Sequence, residues 1–219
     1  MKKPMVIPAS NLDRLANLLE AFTRPVLASI AGGSCSGKSF IARRIAYSAV
    51  QRGMSAVTLP LDMYFRDADD SLLPRDSLGR NLFDVPQAYH ADAYLRHAVQ
   101  LLAGKPMWIP AYDTRTNTRV TERGTLVEPA ELLIADGLFA IEFLARLHPQ
   151  MLAVYVEASE YVRVSRRIMR DTRTYGVTEE AVRNVFRKKV LPCHARYVEP
   201  QKLLADIIVL NDEELRDDR

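Results

Sequence analysis

Residues 31 to 40 read AGGSCSGKSF, and Gly32 to Ser39 fit the spacing G-x-x-x-x-G-K-[ST], a glycine-rich turn whose backbone N–H groups surround phosphate oxygens. The glycines let the chain approach an anion closely, and the positive end of the helix that follows favours negative charge there. Lys38 is placed to reach the β and γ phosphates of a nucleotide, and the Ser39 hydroxyl to ligate Mg2+. Gly32, Gly33, Ser34, Cys35, Ser36, Gly37, Lys38, Ser39 and Phe40 are therefore the candidate nucleotide-binding residues.

Two carboxylates complete a phosphate-transfer set. Asp62 and Asp136 close the apolar runs VTLPLD and LLIAD, so in a parallel sheet both reach the edge that carries the loop. One can hold Mg2+ through water while the other accepts a proton from an attacking hydroxyl. In YVRVSRRIMRDTR, Arg163, Arg166, Arg167 and Arg170 fall at i, i+3, i+4 and i+7, one helix face, with Arg173 a turn further. Four arginines on one stripe repel one another unless an anion lies opposite, and a triphosphate is such an anion. Val162, Ile168 and Met169 are left to pack elsewhere. Asp84 in NLFDVPQAYH and Tyr112–Asp113 in IPAYDTRTNTR sit beside prolines in irregular segments, a setting for recognition as much as for turn chemistry. His90 and His97 lack the further ligands of a zinc site.

The elements that must position these groups follow from periodicity. VLASIAG reads as a buried strand entering the loop, and SFIARRIAYSAVQRG as the helix leaving it, stopped by Gly53. Further strands are expected in SAVTLPLDMYF, ELLIADG, MLAVYVEA and ADIIVL, with helices at 92–104, 139–147, 159–171 and, in two pieces around Pro192, 178–203. Residues 66–85 have no clear period and read as an irregular loop, and 106–129 as a small hairpin. SNLDRLANLLEAF, 10–22, is an amphipathic helix with Leu12, Leu15, Ala16, Leu19 and Phe22 near one face and Ser10 or Asn11 as N-cap. Strands alternating with helices make this an α/β fold, a mostly parallel five-stranded sheet covered on both faces. Its ligands belong at the carboxyl ends of the strands.

With 219 residues, 48% hydrophobic and 26% charged, the chain supports one main globular domain, 26–210, preceded by a helical extension, 1–25, and followed by a charged tail, 211–219. The net charge of +3 is too small to argue for nucleic acid, which usually meets a concentrated basic face. No apolar run approaches the ~20 residues that span a bilayer, and MKKPMVIPAS lacks an apolar core of signal-peptide length. A cytoplasmic location and free thiols at Cys35 and Cys193 are expected, with no membrane or nucleic-acid partner; a homo-oligomer is left open.

In one order, GGSCSGKS, LDMYFRD, FDVPQAYH, IPAYDTRTNTR, LLIADG, VRVSRRIMRD and YVEPQK followed by AD resemble the uridine kinases, within the phosphoribulokinase and uridine kinase family. Seven ordered segments are far more specific than a phosphate loop alone. The resemblance implies a P-loop kinase fold with a lid at about 170–178, and Mg-ATP-dependent transfer of the γ-phosphoryl group to the 5'-hydroxyl of a nucleoside. On it, Asp62 is the general base, and Asp84 and Arg167 grip the ribose hydroxyls. Phe83, Tyr112, Asn117 and Leu138 join the substrate set. Lys38 and Arg170 face phosphate, and Ser39, Asp62 and Asp136 lie around the metal, Asp136 standing where the family usually has Glu.

The departures cluster. Asn117 stands where uridine kinases commonly place a base-contacting His, and Thr114 replaces a pocket Phe. Lid arginines correspond to Tyr175 and Val177, and a base-reading glutamine to Val185. Polar base edges need matched donors and acceptors, so an acceptor other than uridine or cytidine, such as another riboside, a sugar or a pantothenate-like compound, is the alternative. A nucleotide-binding switch is disfavoured by the lack of an N-K-x-D guanine-reading motif, and an inactive module binding polyanions through the arginine stripe is the third reading.

Overall fold

A computed structural model describes residues 3–145, 147 and 151–212. Most of the charged tail, residues 213–219, lies outside the described residues, as does residue 146; the helix expected at 139–147 is observed over Ala140–Leu144, with residues 145 and 147 in a turn.

The strands are β1 (Met5–Pro8), β2 (Val26–Gly32), β3 (Ala56–Pro60), β4 (Met107–Asp113), β5 (Thr118–Val127), β6 (Leu132–Asp136), β7 (Leu152–Glu157) and β8 (Ile207–Leu210). Six form one sheet in the order β1-β8-β7-β2-β6-β3, with every pairing parallel. The expectation of five strands is corrected by β1, which pairs with β8 from Met5–Ile207 to Pro8–Leu210. Its MVIP run is too short to show an alternation, and proline is tolerated there because the strand lies at the sheet edge.

Because successive side chains of a strand point to opposite faces, β2 feeds two cores. Leu27 and Ala31 join Leu133, Ala135, Phe139 and Tyr155 on one face; Val26, Ala28 and Ile30 join Ile41, Ile45, Leu15 and Leu19 on the other. That second face is covered by α2 (Lys38–Gln51) and α1 (Asp13–Glu20). The N-terminal helix is shorter than expected: a 3-10 turn at Ala9–Asn11 precedes it, and its N-cap is Leu12 with no side-chain cap bond, rather than Ser10 or Asn11. The first face is covered by α3 (Ala91–Leu102), α4 (Ala140–Leu144) and the antiparallel hairpin β4–β5.

Two further helices, α5 (Glu160–Tyr175) and α6 (Glu179–Val185), follow β7. Ser159 caps α5 by accepting from Val162 N, and Gly176 ends it at φ 67°, a left-handed residue that favours glycine. Pro192 does not divide the last helical stretch. It sits in the first turn of Leu191–Cys193, where its missing N–H costs little, and the path runs through π-type turns at Phe186–Val190 and His194–Val198.

Candidate active site

Strand β2 delivers the chain to Gly33 and α2 takes it away at Lys38, so residues 33–37 are the glycine loop at the carboxyl edge of the sheet. Gly37 is the N-cap of α2 at φ 95°, and a Cβ there would strike the Asn211 amide. The Asn211 side chain donates to Ser36 O at 2.7 Å, which ties the loop to the end of β8. Within the loop Lys38 Nζ donates to Gly33 O at 3.0 Å, folding the ammonium back over the turn. Burial lowers the Lys38 pKa, while Asp62, Asp136, Cys35 and Asp84 oppose that shift. A cation of this kind gains most from an anion placed against it.

Three carboxylates converge on this lysine. Asp136 is the last residue of β6, 5% exposed, and accepts from Ser39 Oγ at 2.7 Å. Asp62 lies two residues beyond β3 in the 3-10 turn Leu61–Tyr64 rather than on the strand itself. Asp84 comes from the irregular segment before α3. Only Asp136 is buried, while Asp84 is half-buried and Asp62 is open to the cavity. Desolvation by the surrounding protein raises the pKa of all three; Lys38 and Arg170 pull Asp62 back, Arg167 and Lys38 pull Asp84 back, and the Ser39 bond pulls Asp136 back. The Ser39–Asp136 pair offers two hard oxygen donors beside the loop, and among the described residues no group of three or more His, Cys, Asp or Glu could hold a metal. That donor set fits Mg2+, which keeps several waters and shares one or two carboxylates with phosphate oxygens.

Helix α5 closes the other side, and it buries a charged face: Arg163, Arg166 and Asp171 are its buried residues, while Met169 is 46% exposed. Packing by Met169 is therefore corrected. The surface opposite the helix is loop backbone, which rewards donors: Arg166 Nη1 donates to Ser36 O at 3.2 Å, and a Cβ on Gly33 would collide with the Arg163 guanidinium. Arg167 Nη1 donates to Ser34 Oγ at 3.2 Å. One carboxylate, Asp171, accepts from Arg167 Nε at 3.2 Å and Arg170 Nε at 2.8 Å.

Lys38, Ser39, the three carboxylates, Arg166, Arg167, Arg170 and Asp171 line one cavity of about 820 Å³. Phe65, Phe83, Tyr112 and Leu138 supply apolar lining, with Phe65 edge-on to Phe83 at 5.6 Å and 5.4 Å from Tyr112. The hairpin turn contributes Thr114, Arg115 and Asn117. Asn117 has φ 53°, which asparagine tolerates better than most residues, and its carbonyl accepts from Ala68 N at 2.8 Å. Across the cavity mouth Thr114 Oγ1 and Tyr175 Oη lie 2.9 Å apart, sharing a hydrogen bond between hairpin and helix end. Val177, Val182 and Val185 line the same side.

A model of the "Phosphoribulokinase / Uridine kinase family" matches residues 27–214. The chain belongs to this family. Among its relatives, a uridine kinase of Deinococcus deserti is 35% identical over 189 residues, 85% of this chain and 87% of that protein. A second, from Halalkalibacterium halodurans, is 34% identical over 187 residues, covering 85% and 86%. In fold, the chain is similar to a protein described as a fructose transport system kinase from Silicibacter sp. TM1040, with TM-score 0.74 at 20% identity over 90% of this chain and 98% of that one. Phosphoribulokinase/uridine kinase family membership makes the chain a P-loop phosphotransferase acting on a hydroxyl group.

For a member of this family, the sequence-expected residues gather well. Ser34, Cys35, Gly37, Lys38, Ser39, Phe40, Asp62, Phe83, Asp84, Tyr112, Asn117, Asp136, Leu138, Arg167 and Arg170 all line the cavity. Gly32, Gly33 and Ser36 do not; they form the inner side of the loop, Ser36 fully buried. Arg163 also lies off the cavity, behind the loop, its guanidinium over the Phe186 ring at 5.7 Å. Sequence reasoning missed Phe65, Arg115 and Asp171. Phe65 stood inside LDMYFRD and Asp171 inside RRIMRD, four residues after Arg167, a spacing that signals an ion pair on a helix.

Proposed function

We propose that this chain is an ATP-dependent kinase whose acceptor is the 5'-hydroxyl of a nucleoside. The observation that carries the reading is the convergence of the Lys38 loop, the Ser39–Asp136 pair, Asp62 and the Asp84–Arg167 side of the pocket on a single cavity. Uridine kinase relatives at about 35% identity support the nucleoside.

In this reading Lys38, Arg166 and Arg170 bind the donor's phosphates. Ser39 and Asp136 hold Mg2+, which supplies neutralisation of phosphate charge when bound. Asp84 and Arg167 hold the ribose diol through an acceptor and a donor, which turns the 5'-hydroxyl toward Asp62. Asp62 takes the proton from that hydroxyl as the oxygen attacks; the desolvating walls of the cavity raise its pKa, which makes it a better proton acceptor than an aspartate in open water. The aromatic and valine lining excludes water, which would otherwise compete as acceptor.

A second reading, a different hydroxylated acceptor, is favoured by the base side of the pocket, where Thr114 is engaged with Tyr175 and Val177 and Val185 present no donors or acceptors from their side chains. Coupled ADP release with Mg-ATP and a panel of nucleosides, sugars and hydroxylated acids separates the two. Nucleoside kcat/KM at least about tenfold above the rest supports the first; a non-nucleoside leading the panel overturns it in favour of the second.

A further inference from the structure

Between the two cavity-lining arginines lies a carboxylate that also borders the cavity and has no place in the roles above. Asp171 is 7% exposed and sits on α5 one residue after Arg170 and one turn after Arg167. Its two oxygens are divided: Oδ2 accepts from Arg167 Nε at 3.2 Å, and Oδ1 from Arg170 Nε at 2.8 Å. Taking Nε of each guanidinium leaves Nη1 and Nη2 for other partners, and Arg167 uses Nη1 on Ser34 Oγ in the phosphate loop.

In the roles proposed above Arg167 serves the acceptor and Arg170 the donor's phosphates. Both favour the ionised form of Asp84, Arg167 more strongly, and Arg170 favours that of Asp62 as well. Asp171 restrains each guanidinium through a single Nε bond, and the Arg170 side chain is still 51% exposed, so it keeps freedom that a ligand can remove. We propose that Asp171 is a positioning residue that makes Arg167 and Arg170 one unit, so that occupancy of the acceptor diol and of the donor phosphates reinforce each other. Ordering Arg167 against a diol orders Asp171, and through it Arg170, before the nucleotide binds. The second ligand then meets an arginine already placed, which is positive coupling between the two sites. The inference rests on the donor and acceptor roles proposed above.

The test uses the full chain and its isosteric variant Asp171→Asn, which loses the charge and replaces one of the two acceptor oxygens with a donor NH2, with Asp171→Glu as the charge-retaining control. The affinity of a non-hydrolysable ATP analogue is measured alone and with saturating acceptor, the best compound of the acceptor panel. Wild type is expected to bind the analogue about tenfold tighter with acceptor present, a factor that falls to near one in Asp171→Asn and is partly restored in Asp171→Glu. Acceptor KM rises and kcat falls together in Asp171→Asn, while its thermal midpoint stays close to wild type. Coupling retained in Asp171→Asn, or absent from active wild type, overturns the inference. If no panel compound is phosphorylated, the acceptor reading fails instead, and Asp171 is judged on the analogue alone: unchanged affinity in Asp171→Asn overturns its hold on Arg170.

Discussion

At Asp62 the reaction and the protein's electrostatics meet. Desolvation by the cavity walls raises its pKa and the charges of Lys38 and Arg170 restrain that rise. A general base works ionised, so the rate falls as pH drops through the folded-state pKa, and the acidic limb should lie above the ordinary aspartate range. Arg170→Gln removes one restraining charge. Its kcat/KM profile should show the acidic limb moved to higher pH and kcat lowered about 100-fold, while Arg170→Lys leaves the limb near the wild-type position. A limb that stays or moves to lower pH in Arg170→Gln would remove Arg170 from the surroundings of the base. Gly32 to Ser39, Asp62 and Asp136 stood out in the sequence by residue type and spacing, and Asp84 only through the family resemblance; Lys38, Ser39, Asp62, Asp84 and Asp136 all line the cavity. Asp171 and Phe65 did not stand out, since a partner shared by two arginines, or a ring turned into a pocket, is decided by side-chain direction.

At the scale of elements, strands announced themselves where burial is complete, as in VLASIAG and LLIAD. They stayed hidden where a run is four residues long, as in MVIP. The face that α5 buries was misjudged for a related reason: hydrophobic periodicity assumes an apolar neighbour, whereas Arg163 and Arg166 pack against loop backbone. The N-terminal helix tests the value of the periodic signal. Leu15 is fully buried between α1 and the sheet's second core, so Leu15→Ala should cost about 3 kcal/mol of stability through lost burial and a residual cavity. Urea denaturation measures this, and the folded variant should keep its kcat, since no residue of α1 lines the cavity. A midpoint equal to wild type would mean that α1 contributes nothing to the fold.

Across the whole molecule, six parallel strands aim their carboxyl ends at one edge, where ligands of open α/β sheets bind. Order along the sheet puts the phosphate loop of β2 between β6, which supplies Asp136, and β7, which leads into the arginine helix. The hairpin and the α5–α6 turn then meet over the cavity through Thr114 and Tyr175. Chain order alone does not show that meeting, because the two residues are 61 positions apart. The most direct test of phosphoryl transfer to a nucleoside hydroxyl at Asp62 is the stoichiometry of the reaction with Mg-ATP and uridine, read by mass spectrometry alongside ADP release. One nucleoside 5'-monophosphate should form per ADP in the wild type, and Asp62→Asn, which keeps the phosphate loop, should bind ATP yet lose turnover by about 1000-fold or more. ADP released without a phosphorylated product, or an Asp62→Asn variant as active as wild type, would contradict it.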